Sequence, residues 1–138
     1  MILIVGASGA LKQVILDCGA GAYFGQLMLR TPLSPLLIAF LVGAALRIAL
    51  GSATAAIVTA GGIVAPIAAA FPAVDAALMA IAVAMGGSIF SHVNDAGFWM
   101  VKEYCGMDVK QTLQAYSVMK AVTSVTGLLA LWLLSLVV

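Results

Sequence analysis

The segment Arg47-Ile48-Ala49-Leu50-Gly51-Ser52-Ala53-Thr54 sets a guanidinium, a glycine and two hydroxyls inside a long apolar run. Between Pro35 and Ala65, Arg47 is the only formal charge. A guanidinium holds a carboxylate through two parallel N–H donors. Ser52 and Thr54 are hydroxyl donors that suit a hydroxylated molecule. Ser52 is also a natural N-cap, so a helix starting behind it presents amides without intrahelical partners at its positive dipole end. Gly51, Ser52, Thr54 and Arg47 therefore read as a site for a small hydroxylated anion. A purely structural reading stands beside this one. Ser and Thr can bond back to carbonyls, and Arg47 can snorkel or pair with Asp17 or Asp95. Thr59 is a weaker candidate of the same kind.

A second cluster, Ser91-His92-Val93-Asn94-Asp95, closes the next apolar run. An imidazole near a carboxylate can accept, hold and release a proton, so Asp95 with His92 is the candidate pair for a proton-linked step. Asn94 offers a donor and an acceptor to substrate hydroxyls. The plain alternative is a helix end at an aqueous boundary. A third cluster, Gly6-Ala7-Ser8-Gly9-Ala10-Leu11-Lys12-Gln13, is small enough for close backbone approach but lacks phosphate-loop spacing. No nucleophile–base arrangement suggests an enzyme. The chain holds a single histidine, and its two cysteines, Cys18 and Cys105, show no metal spacing, so no metal or other cofactor is expected. Both cysteines read as small buried apolar residues.

These clusters sit in a chain whose solvent must be lipid. Of 138 residues, 64% are apolar and 8% charged, and the mean hydropathy is +1.22. A soluble domain carries about a quarter charged residues. The formal net charge of +1 comes with no basic stripe, which excludes nucleic acid as a partner. The stretch 35–65 would be about 46 Å long as one helix, against a hydrocarbon core of about 30 Å. A central arginine costs about 2.5–3.5 kcal/mol on insertion scales. The expectation is an interrupted helix over 35–65, broken at Gly51–Ser52, with its bare backbone lining a polar site.

The other expected elements follow from charge-free runs and punctuation. Residues 1–29, rich in glycine and carrying Lys12, Gln13 and Asp17, predict a re-entrant or broken element. Pro66 to Asp75 reads as a loop, residues 76–95 as a helix, and residues 112–138 as the final helix. If 35–65, 76–93 and 121–138 each cross once, Arg30, Lys102 and Lys110 share one side, which the positive-inside rule places in the cytoplasm. Phe98, Trp99, Tyr104 and Trp132 read as interface aromatics. The fold class is an all-α integral membrane protein, a polytopic helical bundle with broken or re-entrant helices. Met1 runs straight into Ile2-Leu3-Ile4-Val5, which predicts a piece of a longer protein.

The chain resembles the gluconate permease family of proton-coupled sugar-acid symporters, within the ion transporter superfamily. The resemblance is carried by Gly9-Ala10-Leu11-Lys12-Gln13-Val14, Leu46 through Thr54, Phe90-Ser91-His92-Val93-Asn94-Asp95-Ala96-Gly97-Phe98-Trp99, Lys102-Glu103-Tyr104 and Ser117-Val118-Met119. It spans essentially the whole chain but only the C-terminal part of such a transporter. It implies uptake of gluconate or a related sugar acid with protons, in a bacterial cytoplasmic (inner) membrane. Another small hydroxy acid or D-serine, or a fragment that does not transport, are the alternatives. The implied partners are the acid, protons, the lipid bilayer, and the rest of the transporter or a second copy of the chain. In that light Ser52, Thr54, Gly51, Arg47 and Asn94 are the expected substrate ligands, and Asp95 and His92 the expected proton-coupling groups.

Overall fold

Pro35 stands at the first position of helix α1 (Pro35–Leu50), where its missing amide breaks no helical bond. The computed structural model describes residues 10, 13, 14, 17–19, 33–70 and 75–137. All regular structure among the described residues is helical. After α1 come α2 (Ala53–Ala70), α3 (Ala76–Gly87) and α4 (Ala96–Tyr104). The last helix, α5 (Val109–Leu134), contains a π-helical turn over Leu113–Ser117.

The chain reverses at Gly51. With φ at 70°, Gly51 closes α1 in the left-handed region and donates its amide to the Arg47 carbonyl at 3.0 Å. Two residues later α2 begins and packs along α1. Leu36 and Ala39 share one buried cluster with Ala60, Val64 and Ile67. Consecutive helices joined by two residues can pack side by side only if they run antiparallel. The stretch 35–65 is therefore a helical hairpin with Gly51–Ser52 at its tip, not one interrupted crossing as the sequence suggested. The sidedness assigned to Arg30 and to residues 66–75 by simple alternation falls with that correction. The start of α1 and the end of α2 lie at the same end of the bundle.

α3 runs parallel to α1, and the two meet backbone to backbone. A methyl group on Gly43 would lie 2.6 Å from the Val83 carbonyl oxygen and 2.9 Å from the Gly87 amide nitrogen. One on Gly86 would strike the carbonyl of Phe40. Small residues allow this approach where lipid offers no hydrophobic drive for helix association. Along α5, Ser117 donates to the Ser91 carbonyl and Ser124 to the Met85 carbonyl, while Leu131 joins the core with Leu78 and Ala82. α5 thus runs antiparallel to α3 and satisfies carbonyls near and beyond its end.

Further expectations change. α2 continues through Pro66, which was read as the start of a loop. A proline forfeits its own amide bond, and an apolar helix tolerates that loss where neighbouring groups adjust. The helix expected over 76–95 ends at Gly87, and 88–95 is irregular. α5 begins at Val109, earlier than 112, because Asp108 and Gln111 form a reciprocal capping box with bonds of 2.7 and 2.9 Å. Helical structure stops at Leu134. Cys18 and Cys105 are exposed rather than buried. The element proposed for residues 1–29 falls almost wholly outside the described residues.

α5 spans 26 residues, about 39 Å, and is the one described helix long and apolar enough to cross a bilayer. α1, α2 and α3 are shorter apolar helices. Only 17% of the most apolar window of α5 is buried, so Val118, Met119, Val122, Val125, Leu129, Trp132 and Leu133 present a broad apolar face outward.

Candidate functional site

Both polar clusters come together at one end of the three packed helices. Gly51 sits against Asn94 so closely that a methyl group there would overlap the Asn94 carbonyl oxygen and stand 2.6 Å from its side-chain Cγ. Asn94 donates its Nδ2 to the Ile48 carbonyl at 3.0 Å. That carbonyl lies in the last turn of α1, where helical partners have run out. The irregular segment 88–95 is thereby pinned to the hairpin tip. Trp99, expected at an interface, donates Nε1 to the Val93 carbonyl at 2.8 Å and ties α4 to the same segment.

Arg47 is the centre of the cluster. It is 2% exposed, the most deeply placed charge among the described residues. Its Nη1 donates to the Gly51 carbonyl, closing the C-terminal end of its own helix. Its Nη2 forms an ion pair with Asp95 Oδ2. Of the partners open from the sequence, Asp17 bonds Gln13 instead, at 2.8 Å. Arg47 Nε has no partner among the described residues. Carboxylate and guanidinium therefore meet through one N–H, and the side-on fork of Nε and Nη2 is half used.

Asp95 Oδ2 also accepts from the Ser91 hydroxyl, and Oδ1 accepts from the Gly97 amide at 3.0 Å, which makes Asp95 the N-cap of α4. Every one of these partners is a donor, the environment an ionised carboxylate requires. The Asp95 side chain is 15% exposed, so it is the more accessible member of its pair with Arg47. His92 contributes no bond to this carboxylate among the described residues. It lies edge-on to Phe90, ring centroids 5.9 Å apart, and its buried Nδ1 has no partner among the described residues.

Ser52 is half-buried and accepts from the Ala55 amide at 3.4 Å, a weak cap on α2. Thr54, one residue inside α2, is exposed. Both stand at the hairpin tip. Thr59 is fully buried and its hydroxyl has no partner among the described residues. The geometry thus brings together Arg47, Gly51, Asn94 and Asp95 in direct contact, with Ser52 next in chain and Thr54 on the adjoining helix start. Two supports were missed in the sequence. Ser117 and Ser124 hold the segment around Ser91 and the end of α3, and the available signal was serine recurring every seven residues in an apolar helix.

Comparison with known proteins places this arrangement in context. Residues 1–137 match the family described as GntP family permease. The chain is 49% identical over 138 residues to the high-affinity gluconate transporter of Escherichia coli, covering 100% of this chain and 31% of that protein. It is 44% identical over 137 residues to the gluconate permease of Pseudomonas aeruginosa, covering 99% of this chain and 30% of that one. To the Gnt-II system L-idonate transporter of E. coli it is 48% identical over 129 residues, 94% of this chain and 29% of that protein. The chain spans about a third of the length of these relatives. No solved structure matches.

Proposed function

Because the chain belongs to the GntP family of permeases, we propose that it forms the C-terminal membrane part of a proton-coupled symporter for gluconate or a closely related sugar acid. The setting is a membrane and the chain is no enzyme. The bacterial cytoplasmic membrane, entry of protons with the acid, and cooperation with a further segment or a second copy are parts of the proposal.

The observation that carries it is the meeting of two helix ends at one polar cluster. The hairpin tip supplies the start of α2, with the Ser52 and Thr54 hydroxyls beside it, and the Asp95 segment supplies Asn94. Such ends offer donors to a carboxylate and its hydroxyls within an otherwise apolar body. Gly51 lets the tip close against Asn94 there, Arg47 supplies the fixed positive charge, and Asp95 with His92 supply the groups that exchange protons. The likeness to proteins named for gluconate and for L-idonate, at 49% and 48% identity, brings both acids into the proposal.

The test is a chimera in which residues 1–138 replace the matching part of the E. coli gluconate transporter, in proteoliposomes with a pH gradient, acid outside. Gluconate accumulation that collapses when the gradient is dissipated is the expected result. Competition with unlabelled L-idonate and D-serine ranks the substrates. A chimera that reaches the membrane folded yet neither binds nor moves any of these acids overturns the proposal and favours a fragment that does not transport.

A further inference from the structure

We infer that Asp95 and the carboxylate of the substrate are rivals for the same guanidinium, so that protonation of Asp95 hands Arg47 to the incoming acid. This rests on the transport reading above and specifies how its site is regulated.

Three observations carry the inference. Arg47 is nearly sealed, whereas its partner Asp95 is 15% exposed and so the more accessible member of the pair. The pair uses one N–H of the guanidinium, while the adjoining Nε donor is buried and has no partner among the described residues. A carboxylate free to sit side-on would take both Nε and Nη2 in the fork geometry, which is stronger and more directional than the single bond Asp95 makes. Asp95 does not make that contact: its Oδ1 turns instead to the Gly97 amide and caps α4. The native partner is thus held in a geometry that an untethered carboxylate improves on.

The exchange balances in charge. With Asp95 ionised, the guanidinium and carboxylate sum to zero and the site has no attraction for a second anion. One proton from the bath adds to Asp95 Oδ2 and the ion pair breaks. The neutral acid keeps its place through Ser91 and Gly97, and the substrate carboxylate, arriving ionised, takes Nε and Nη2. The sum is again zero. Release reverses each step, so one proton accompanies one acid anion through this site. The charge acting on Asp95 is Arg47 from α1, and its other direct partners, Ser91 and Gly97, do not titrate. His92 is the titratable neighbour in the same segment and makes no bond to the carboxylate.

The experiment measures labelled gluconate binding and exchange in the chimera at pH 5.5 and 7.5, for the parent and two variants. In the parent, binding weakens as pH rises, because the competent, protonated fraction falls. In Asp95→Asn, binding at pH 7.5 tightens by about tenfold or more and loses its pH dependence, since the competent state is no longer a minority. Exchange persists while accumulation driven by a pH gradient is lost. Asp95→Asn leaves a buried cation unpaired, so Arg47→Gln/Asp95→Asn is the second variant. It restores a neutral interior yet binds no gluconate. The inference is overturned if Asp95→Asn abolishes binding and the double variant recovers it, the pattern of a mere staple between helices. It is equally overturned if Asp95→Asn keeps the parental pH dependence. A parent that binds no gluconate instead sinks the transport reading, and the inference with it.

Discussion

The chain leaves helix twice at the same end of the bundle, after α1 and after α3, and the two exits are made differently. The first takes two residues, Gly51 and Ser52. It is a backbone device, a left-handed glycine whose amide returns to Arg47. The second takes eight residues, 88–95, with no left-handed residue among them. It is held by side chains from elsewhere: Arg47 on Asp95, Ser117 on the Ser91 carbonyl, Trp99 on the Val93 carbonyl, and Asn94 reaching the Ile48 carbonyl. A stop written in backbone conformation is rigid and local. One written in side-chain bonds can be rewritten when a bond is exchanged. The rigid tip is suited to shaping a ligand, and the other exit to responding to it.

That contrast can be broken by mutation. The largest effect falls on the side-chain exit. Removing the charge of Arg47 alone, as Arg47→Met, leaves Asp95 without its cation and should cost about 3–5 kcal/mol, read from unfolding in bicelles. A loss under about 1 kcal/mol would mean the ion pair does not hold the segment. Next comes the backbone exit. Gly51→Ala forces a side chain into the left-handed region and against Asn94, for a loss of about 2–3 kcal/mol by the same measurement. Unchanged stability would show that the tip is free to adopt another turn. The smallest effect belongs to Ser52→Ala. Its cap bond of 3.4 Å is too long to contribute more than a few tenths of a kcal/mol. Gluconate binding in the chimera should fall several-fold all the same, which separates a ligand from a cap.

The first exit was legible in the sequence and the second only partly so. An arginine, a glycine and an N-cap residue in the middle of 31 apolar-rich positions can hardly continue as one span. Whether the chain bends onward or doubles back there was not legible. Both use a left-handed glycine, and the choice is made by distant contacts: Ala60 of α2, wholly buried in one cluster with Ala39 of α1. The end of α3 was placed too late because Ser88 through Val93 carries no formal charge, like the residues that precede it. Gly86 and Gly87 carried the stop signal but read equally well as packing residues, and they are packing residues too. The contact between Arg47 and Asp95 was one of two pairings open to a reader of the sequence. What decides it is the parallel course of α1 and α3, which carries residues 47–51 alongside 94–95. The pairing of His92 with Asp95 was suggested by nearness in chain, whereas the irregular backbone turns the two side chains to different neighbours.

The wide turn over Leu113–Ser117 has its own consequence for α5. Thr112 and Ser117 both face inward, although five residues of ordinary helix would rotate one about 140° from the other. Beyond it, Ser117, Ser124 and Leu131 keep a beat of seven along a single seam. The turn therefore works as a phase corrector: it absorbs one surplus residue so that both stretches of the rod read onto the same line. Spacing, more than composition, sets that alignment. Deleting one residue between 113 and 116 would leave Thr112 and Ser117 about 40° apart on an ordinary helix, a smoother rod that keeps the seam, whereas straightening the turn with every residue retained would swing the first turn about 100° out of step with it.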